Sequence, residues 1–257
     1  MTVLIGFHHA GGSPSLFRSW GRTSNARVAA HTMAGRAGRR DEVPSTDPAV
    51  AVHDAARFVT EVIRGDSARE PYVLFGHSLG GQLAPLVAAE LVAAGLPAPA
   101  RIVVSAARAP CPDGGRTRRD RALPLDAAVE PSRSSDEDLV TLLRRLGGVP
   151  GALLGDAGWR AVALPVLRAD LMLSAALGNC ATTSVRGRLR TVDGSAGGFG
   201  APVRAFGGRD DPLIAAVDLV GWSAAPPVLF PGGHFYLLRH EAAVVRAALD
   251  GIVGGAR

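Results

Sequence analysis

The chain has 257 residues, 47% of them hydrophobic and 20% charged, and its 28 basic residues are all arginine against 23 acidic ones, for a formal net charge of +5. That length and apolar content suit one large α/β domain or two small ones and argue against long disordered stretches. Arginine-only basicity beside abundant Ala, Gly and Pro reads as GC-rich coding rather than nucleic-acid binding, for which the sequence holds no motif.

Residues 3–7 form an apolar run without a preceding basic region, so they read as a first strand and not as a signal peptide. Residues 27–31 are a second short strand, with a helical turn across 13–20 between the two. Asp47-Pro48 is an N-cap followed by a proline at the first helical position, and Val52, Ala55, Ala56, Val59, Val62 and Ile63 then recur at helical spacing, which predicts an amphipathic helix over 48–64. A strand over 72–75, a helix over 82–94 and a strand over 101–105 follow. Strands alternating with helices indicate a mostly parallel sheet flanked by helices on both faces.

From Arg108 the rhythm changes. Pro110, Pro112, Gly114 and Gly115 open a loop, residues 134–138 offer helix caps ahead of Leu139, Leu142, Leu143 and Leu146, and Gly147-Gly148 closes that helix. A second helix is predicted over 159–177. Residues 111–182, approximately, therefore read as a helical insertion able to cover a site. A Gly-rich connection over 193–200 precedes a strand at 202–206, a helix at 213–222, a strand at 227–230 and a last helix at 235–249 that would contain His240. One domain spanning 1–257 with an inserted lid accounts for this layout. Glu90 and several prolines interrupt the best candidate membrane span, and the two cysteines, Cys111 and Cys180, come without a secretion signal, so a cytoplasmic monomer with no membrane or nucleic-acid partner is expected.

The chemistry centres on Gly76-His77-Ser78-Leu79-Gly80-Gly81, a Gly-x-Ser-x-Gly sequence between a strand and a helix. This is the pattern of a nucleophile elbow, in which a sharp turn exposes the serine at a helix N-terminus. A serine hydroxyl needs a base, and the base needs a third group to fix its tautomer, in the chain order serine, acid, histidine. His234 follows a predicted strand in Gly232-Gly233-His234 and is the candidate base. Gly207-Gly208-Arg209-Asp210-Asp211-Pro212 supplies the acid, with Asp211 favoured and Asp210 the alternative. Asp170 has a simpler reading as the ion-pair partner of nearby Arg168. The Leu79 amide and, in the loop after the first strand, the Ala10 amide are the candidate oxyanion donors. His77 is expected to brace the elbow by hydrogen bonding. No cluster of Cys, His and carboxylates suggests a metal.

Taken in order, Phe7-His8-His9-Ala10-Gly11-Gly12-Ser13 with Phe17 and Trp20, Met33 to Arg40, Ser105 to Pro110, 143–150, 164–170, 207–212 and Gly232-Gly233-His234-Phe235 are similar to motifs of the type II thioesterases. These are the separate α/β-hydrolases that accompany nonribosomal peptide and polyketide synthases. The resemblance implies an α/β-hydrolase fold, no cofactor of its own, and acyl groups held as thioesters on the phosphopantetheine arm of an acyl or peptidyl carrier protein domain. It implies a clearing role, with dedicated product release by hydrolysis or cyclisation, or hydrolysis of small esters, as the alternatives. The sequence departs from the family at His8, Ala34 and Ala107, and the wholly uncharged run 171–177 in the second lid helix points to a different acyl chain. Arg108, Arg116, Arg118, Arg119 and Arg121 form a basic cluster that could meet an acidic carrier.

Overall fold

Alternation along the buried strands sorts their side chains onto the two faces of one sheet. The computed structural model describes residues 1–65, 70–109, 132–188 and 199–252, the side chains of 179–188 excepted. Strands β1 (Thr2–Phe7), β2 (Ala26–Ala30), β3 (Tyr72–His77), β4 (Arg101–Ser105), β5 (Val203–Gly208) and β6 (Val228–Phe230) run in the order β2-β1-β3-β4-β5-β6. Each pairing is parallel, as the strand–helix rhythm predicts. Val3, Ile5, Leu74, Ile102 and Val104 enter the core on one face, and Leu4, Val73, Phe75, Val103 and Phe206 enter the core on the other. Because the strands are parallel, the loops that leave their carboxyl ends gather at one edge, where α/β sheets place their sites.

Helix α1 (Pro48–Arg64) begins as its sequence predicts, with the Ala49 N–H donating to the Asp47 side chain at 2.7 Å. Its Ala51, Val52, Ala55, Val59 and Ile63 join the first core together with Leu83, Val87 and Leu91 of α2 (Leu79–Ala93). Between β4 and β5 lie α3 (Asp136–Leu146), α4 (Gly151–Gly155) and α5 (Ala157–Arg188). A reciprocal capping box between Ser135 and Asp138 starts α3, and its Leu139, Val140 and Leu143 pack with Leu154, Leu164 and Leu167 in a separate small core. The 157–178 part of α5 is long and apolar enough to cross a bilayer by length and composition. Here, however, Leu173 and Leu177 are packed into the first core. After β5 come α6 (Ala216–Leu219), α7 (Tyr236–Arg239) and α8 (Glu241–Leu249), the last two covering the second face through Tyr236, Leu237, Val244 and Val245.

Several elements differ from their sequence patterns for local reasons. Helix α2 starts at Leu79 rather than Gln82, so the elbow feeds it without a linker. Helix α5 runs past 177 to Arg188. The helix expected over 213–222 shrinks to Ala216–Leu219, because the Leu213 and Ile214 N–H groups both donate to Asp211 Oδ1, at 2.8 and 3.2 Å, and hold the chain in a turn. The last helix is broken at His240, which caps the end of α7 and the start of α8 and is therefore not inside a helix. Arg108 is 3.4 Å from Asp218. Arg116, Arg118, Arg119, Arg121 and Cys111 lie outside the described residues, as do 193–198 of the Gly-rich connection and the Cys180 side chain.

Candidate active site

Ser78 is held at φ 56°, ψ −114°, a region that non-glycine residues enter only at a cost. The turn is tied down from two sides: its N–H donates to the Ser105 carbonyl at 2.8 Å, and the Gly80 N–H donates to the His8 carbonyl at 3.1 Å. Space leaves no room for a side chain on either flanking glycine. A Cβ on Gly76 would lie 1.9 Å from the Gly80 oxygen, and a Cβ on Gly80 would lie 2.1 Å from the Phe7 oxygen. Ser78 itself is half-buried at the start of α2, where the Leu79 N–H occupies a first-turn position without an intrahelical acceptor.

Of the two adjacent aspartates, the fold brings Asp211 to His234. Asp211 Oδ2 is 2.8 Å from His234 Nδ1, and the two side chains are 0% and 3% exposed. The other Asp211 oxygen takes the Leu213 and Ile214 N–H groups, so the carboxylate cannot rotate without losing them. Asp210 is exposed on the same turn, its N–H donating to the Gly232 carbonyl. With Nδ1 engaged by the carboxylate, Nε2 of His234 is the nitrogen left for proton transfer. The His234 ring lies 5.1 Å, centroid to centroid, from that of His77, the residue before the elbow serine.

His77 is fully buried, with Nδ1 2.8 Å from Ser105 Oγ, and Ser105 Oγ is 2.6 Å from the Tyr236 hydroxyl. This chain links the elbow, β4 and α7. Burial, followed by repulsion from His234 and His9, holds the His77 pKa well below the usual histidine range. His9 packs edge-on to Phe235 with centroids 4.7 Å apart, and burial, then His234 and Arg36, bring its pKa down to about 3. Both rings are thus neutral at pH 7 and add no positive charge beside His234.

The loop after β1 carries Ala10, whose side chain touches both the first core and the small α3–α5 core. The next residue, Gly11, has φ +71° and donates its N–H to Asp170 Oδ2 at 2.7 Å. Asp170 also receives a two-pronged contact from Arg36, Nη1 to Oδ2 at 2.6 Å and Nη2 to Oδ1 at 2.7 Å, while Arg168 turns away to Asp136 at 2.8 Å. The expected Arg168–Asp170 pairing is therefore replaced by a bond to a residue 134 positions away. Arg36 and Asp170 each lie within a motif segment noted in the sequence, but nothing local says that they meet. Among the described residues no group of three or more His, Cys, Asp or Glu side chains is placed to hold a metal ion.

Residues 2–250 match the thioesterase domain family. A probable cadicidin biosynthesis thioesterase from Streptomyces griseus is 30% identical over 248 residues, which is 94% of this chain and 60% of that relative's length. Among solved structures, BorB, a type II thioesterase from the borrelidin biosynthetic cluster, is 28% identical with a TM-score of 0.69, covering 96% of this chain and 90% of that one. YbtT, a type II thioesterase from the yersiniabactin pathway, shares the fold at a TM-score of 0.73 and 22% identity, over 96% of this chain and 91% of its own. With an elbow serine, a buried Asp–His pair and an α/β-hydrolase fold whose described strands all run parallel, the chain belongs to the thioesterase domain family.

Proposed function

We propose that this thioesterase removes acyl groups held as thioesters on the phosphopantetheine arm of acyl or peptidyl carrier protein domains, clearing stalled or misloaded groups in polyketide or nonribosomal peptide biosynthesis. The observation that carries the reading is the buried Asp211–His234 pair beside a strained serine elbow, in a chain similar over almost its whole length to type II thioesterases of such pathways. Ser78 Oγ attacks the thioester carbonyl as His234 Nε2 takes its proton, with Asp211 holding the imidazole and offsetting its charge. The Ala10 and Leu79 amides receive the negative charge on the carbonyl oxygen. Collapse of the tetrahedral adduct breaks the C–S bond, and the proton on His234 passes to the departing thiol. Water then attacks the acyl-serine, giving its proton to His234, which returns one to Ser78 Oγ as the carboxylic acid leaves.

Helices α3 to α5 would act as the lid over this site. The 171–177 stretch of α5 carries no charge, and its Ser174 hydroxyl donates to Gln82 Oε1 on α2 at 2.9 Å. An uncharged stretch at this place in the lid favours hydrocarbon-like acyl chains over charged ones.

Incubation with a panel of acyl-loaded carrier proteins and the matching simple esters, followed by intact mass, tests the reading. Free carrier and a linear acid should form faster than esters are cleaved, and Ser78→Ala should stop both. Esters turned over as well as carrier thioesters would sink the carrier assignment, and a cyclic product would replace clearing with dedicated release.

A further inference from the structure

Asp170 lies on α5, yet its 1%-exposed carboxylate accepts three hydrogen bonds that all come from the loops after β1 and β2: the Gly11 N–H and both terminal nitrogens of Arg36. Arg36 Nη1 also donates to the Gly12 carbonyl at 3.2 Å, so backbone groups of two neighbouring residues, Gly11 and Gly12, are held by one ion pair. The lid helix presses on the same point. A Cβ on Gly11 would stand 3.1 Å from Leu167 Cδ1, one turn before Asp170. The loop carrying Arg36 is itself anchored, because Arg39 Nη1 donates to the Thr32 carbonyl at 2.8 Å and to Asp54 at 2.6 Å.

We infer that the Arg36–Asp170 pair is a positioning device through which the lid completes the oxyanion hole. The inference rests on the assignment of Ala10 as an oxyanion donor. A buried ion pair is a poor way to gain stability, since well-packed apolar groups do as well, but it fixes geometry in a way that apolar contacts do not. The peptide that bears the Ala10 N–H is followed directly by the one whose N–H Asp170 holds. With α5 seated, Gly11 is pinned and the Ala10 N–H is aimed at the acyl carbonyl. With α5 displaced, Gly11 loses its acceptor, Arg36 loses its partner and the loop is free to turn. Lid seating and acyl transfer are then one event: substrate binds while the lid is loose, and the oxyanion is stabilised only once α5 has closed on the loop.

The test pairs kinetics with a transition-state analogue, a trifluoromethyl ketone in which the ketone stands where the thioester carbonyl would be. Asp170→Asn and Arg36→Lys should each lower kcat by roughly 10- to 100-fold, below the full loss of an oxyanion donor, with little change in KM. The inhibition constant for the ketone should weaken in proportion to kcat/KM. Unchanged kcat in both variants, or a fall in kcat without weaker ketone binding, overturns the proposal. If the variants do not fold, hydrogen exchange on the wild-type enzyme decides, because linkage is reciprocal. The ketone should slow exchange in 164–173 of the lid as well as in 8–16, and protection confined to 8–16 overturns the coupling. A fluorophosphonate that fails to label Ser78 in the wild-type enzyme would sink the catalytic reading itself, a result distinct from normal labelling with lid-independent kinetics.

Discussion

Asp211 Oδ2 sits 2.8 Å from His234 Nδ1 while Asp211 Oδ1 is occupied by the Leu213 and Ile214 N–H groups, so one buried carboxylate orients the imidazole and shapes the turn that carries it. Asp211→Asn should lower kcat on the order of 10³- to 10⁴-fold, because an amide presents the wrong partner to Nδ1 and favours the wrong tautomer. Asp210→Asn, at an exposed position with only its backbone engaged, should leave kcat near the wild-type value. Steady-state hydrolysis of an acyl-carrier substrate separates the two. Equal losses would mean that the acid has been misassigned.

The polar chain from His77 through Ser105 to Tyr236 is buried throughout. Ser105→Ala would strand both His77 Nδ1 and the Tyr236 hydroxyl, at about 1–3 kcal/mol for the unpaired groups. A chain of this size loses about 2–4 °C in Tm per kcal/mol, so a drop of several degrees is expected by calorimetry. Adding Tyr236→Phe should cost less than the two single changes together, since it removes one of the stranded groups. Strict additivity would mean that the three residues do not act as a unit.

The sheet, the elbow and the histidine loop were legible in the sequence because each is encoded locally: apolar runs such as 72–75, small residues around Ser78, and Gly232-Gly233 ahead of His234. The acid was narrowed to two neighbours, with Asp211 favoured over Asp210 but not separated from it by anything local. Adjacent residues on a turn point different ways, and which of them faces inward depends on how β5 meets β6. Residues 213–222 misled for a related reason, since their helical composition was overridden by the Asp211 side chain. The pairing of Arg36 with Asp170 was hidden altogether. It depends on α5 crossing over the loop after β1, whereas the neighbouring Arg168 offers a simpler partner that the fold turns toward Asp136.

Acid should destabilise this protein before its carboxylates titrate. The folded-state pKa of His77 lies well below 6.5 and that of His9 lies near 3, both chiefly through burial, so below pH 6.5 the unfolded chain binds protons that the folded chain refuses. Their effect is absent well above pH 6.5 and grows as pH falls, at about 1.4 kcal/mol per pH unit for each histidine once the unfolded state is fully protonated, the His9 part levelling off near pH 3. Denaturant unfolding at pH 7.5, 6 and 5 should show this loss, and His9→Gln should make it shallower. Parallel curves for the two proteins would show that His9 is protonated in the fold.

Gly80 is a position where the elbow has no room for a side chain. A methyl group there would sit 2.1 Å from the Phe7 carbonyl oxygen, an overlap with backbone that no rotamer relieves. Gly80→Ala must push the start of α2 away from β1, breaking the Gly80 N–H bond to the His8 carbonyl and separating the Leu79 amide from the 10–12 loop. Overpacking in a closed site costs about 1–3 kcal/mol and more where only backbone can move, so a lower Tm is expected together with a loss of kcat. Gly38→Ala is the control: nothing lies within 4 Å of a Cβ at that position, and stability and activity should both be retained. Wild-type kcat in Gly80→Ala would mean that the contact between the elbow and the loop after β1 is not needed for acyl transfer, and the Ala10–Leu79 oxyanion pair would have to be abandoned.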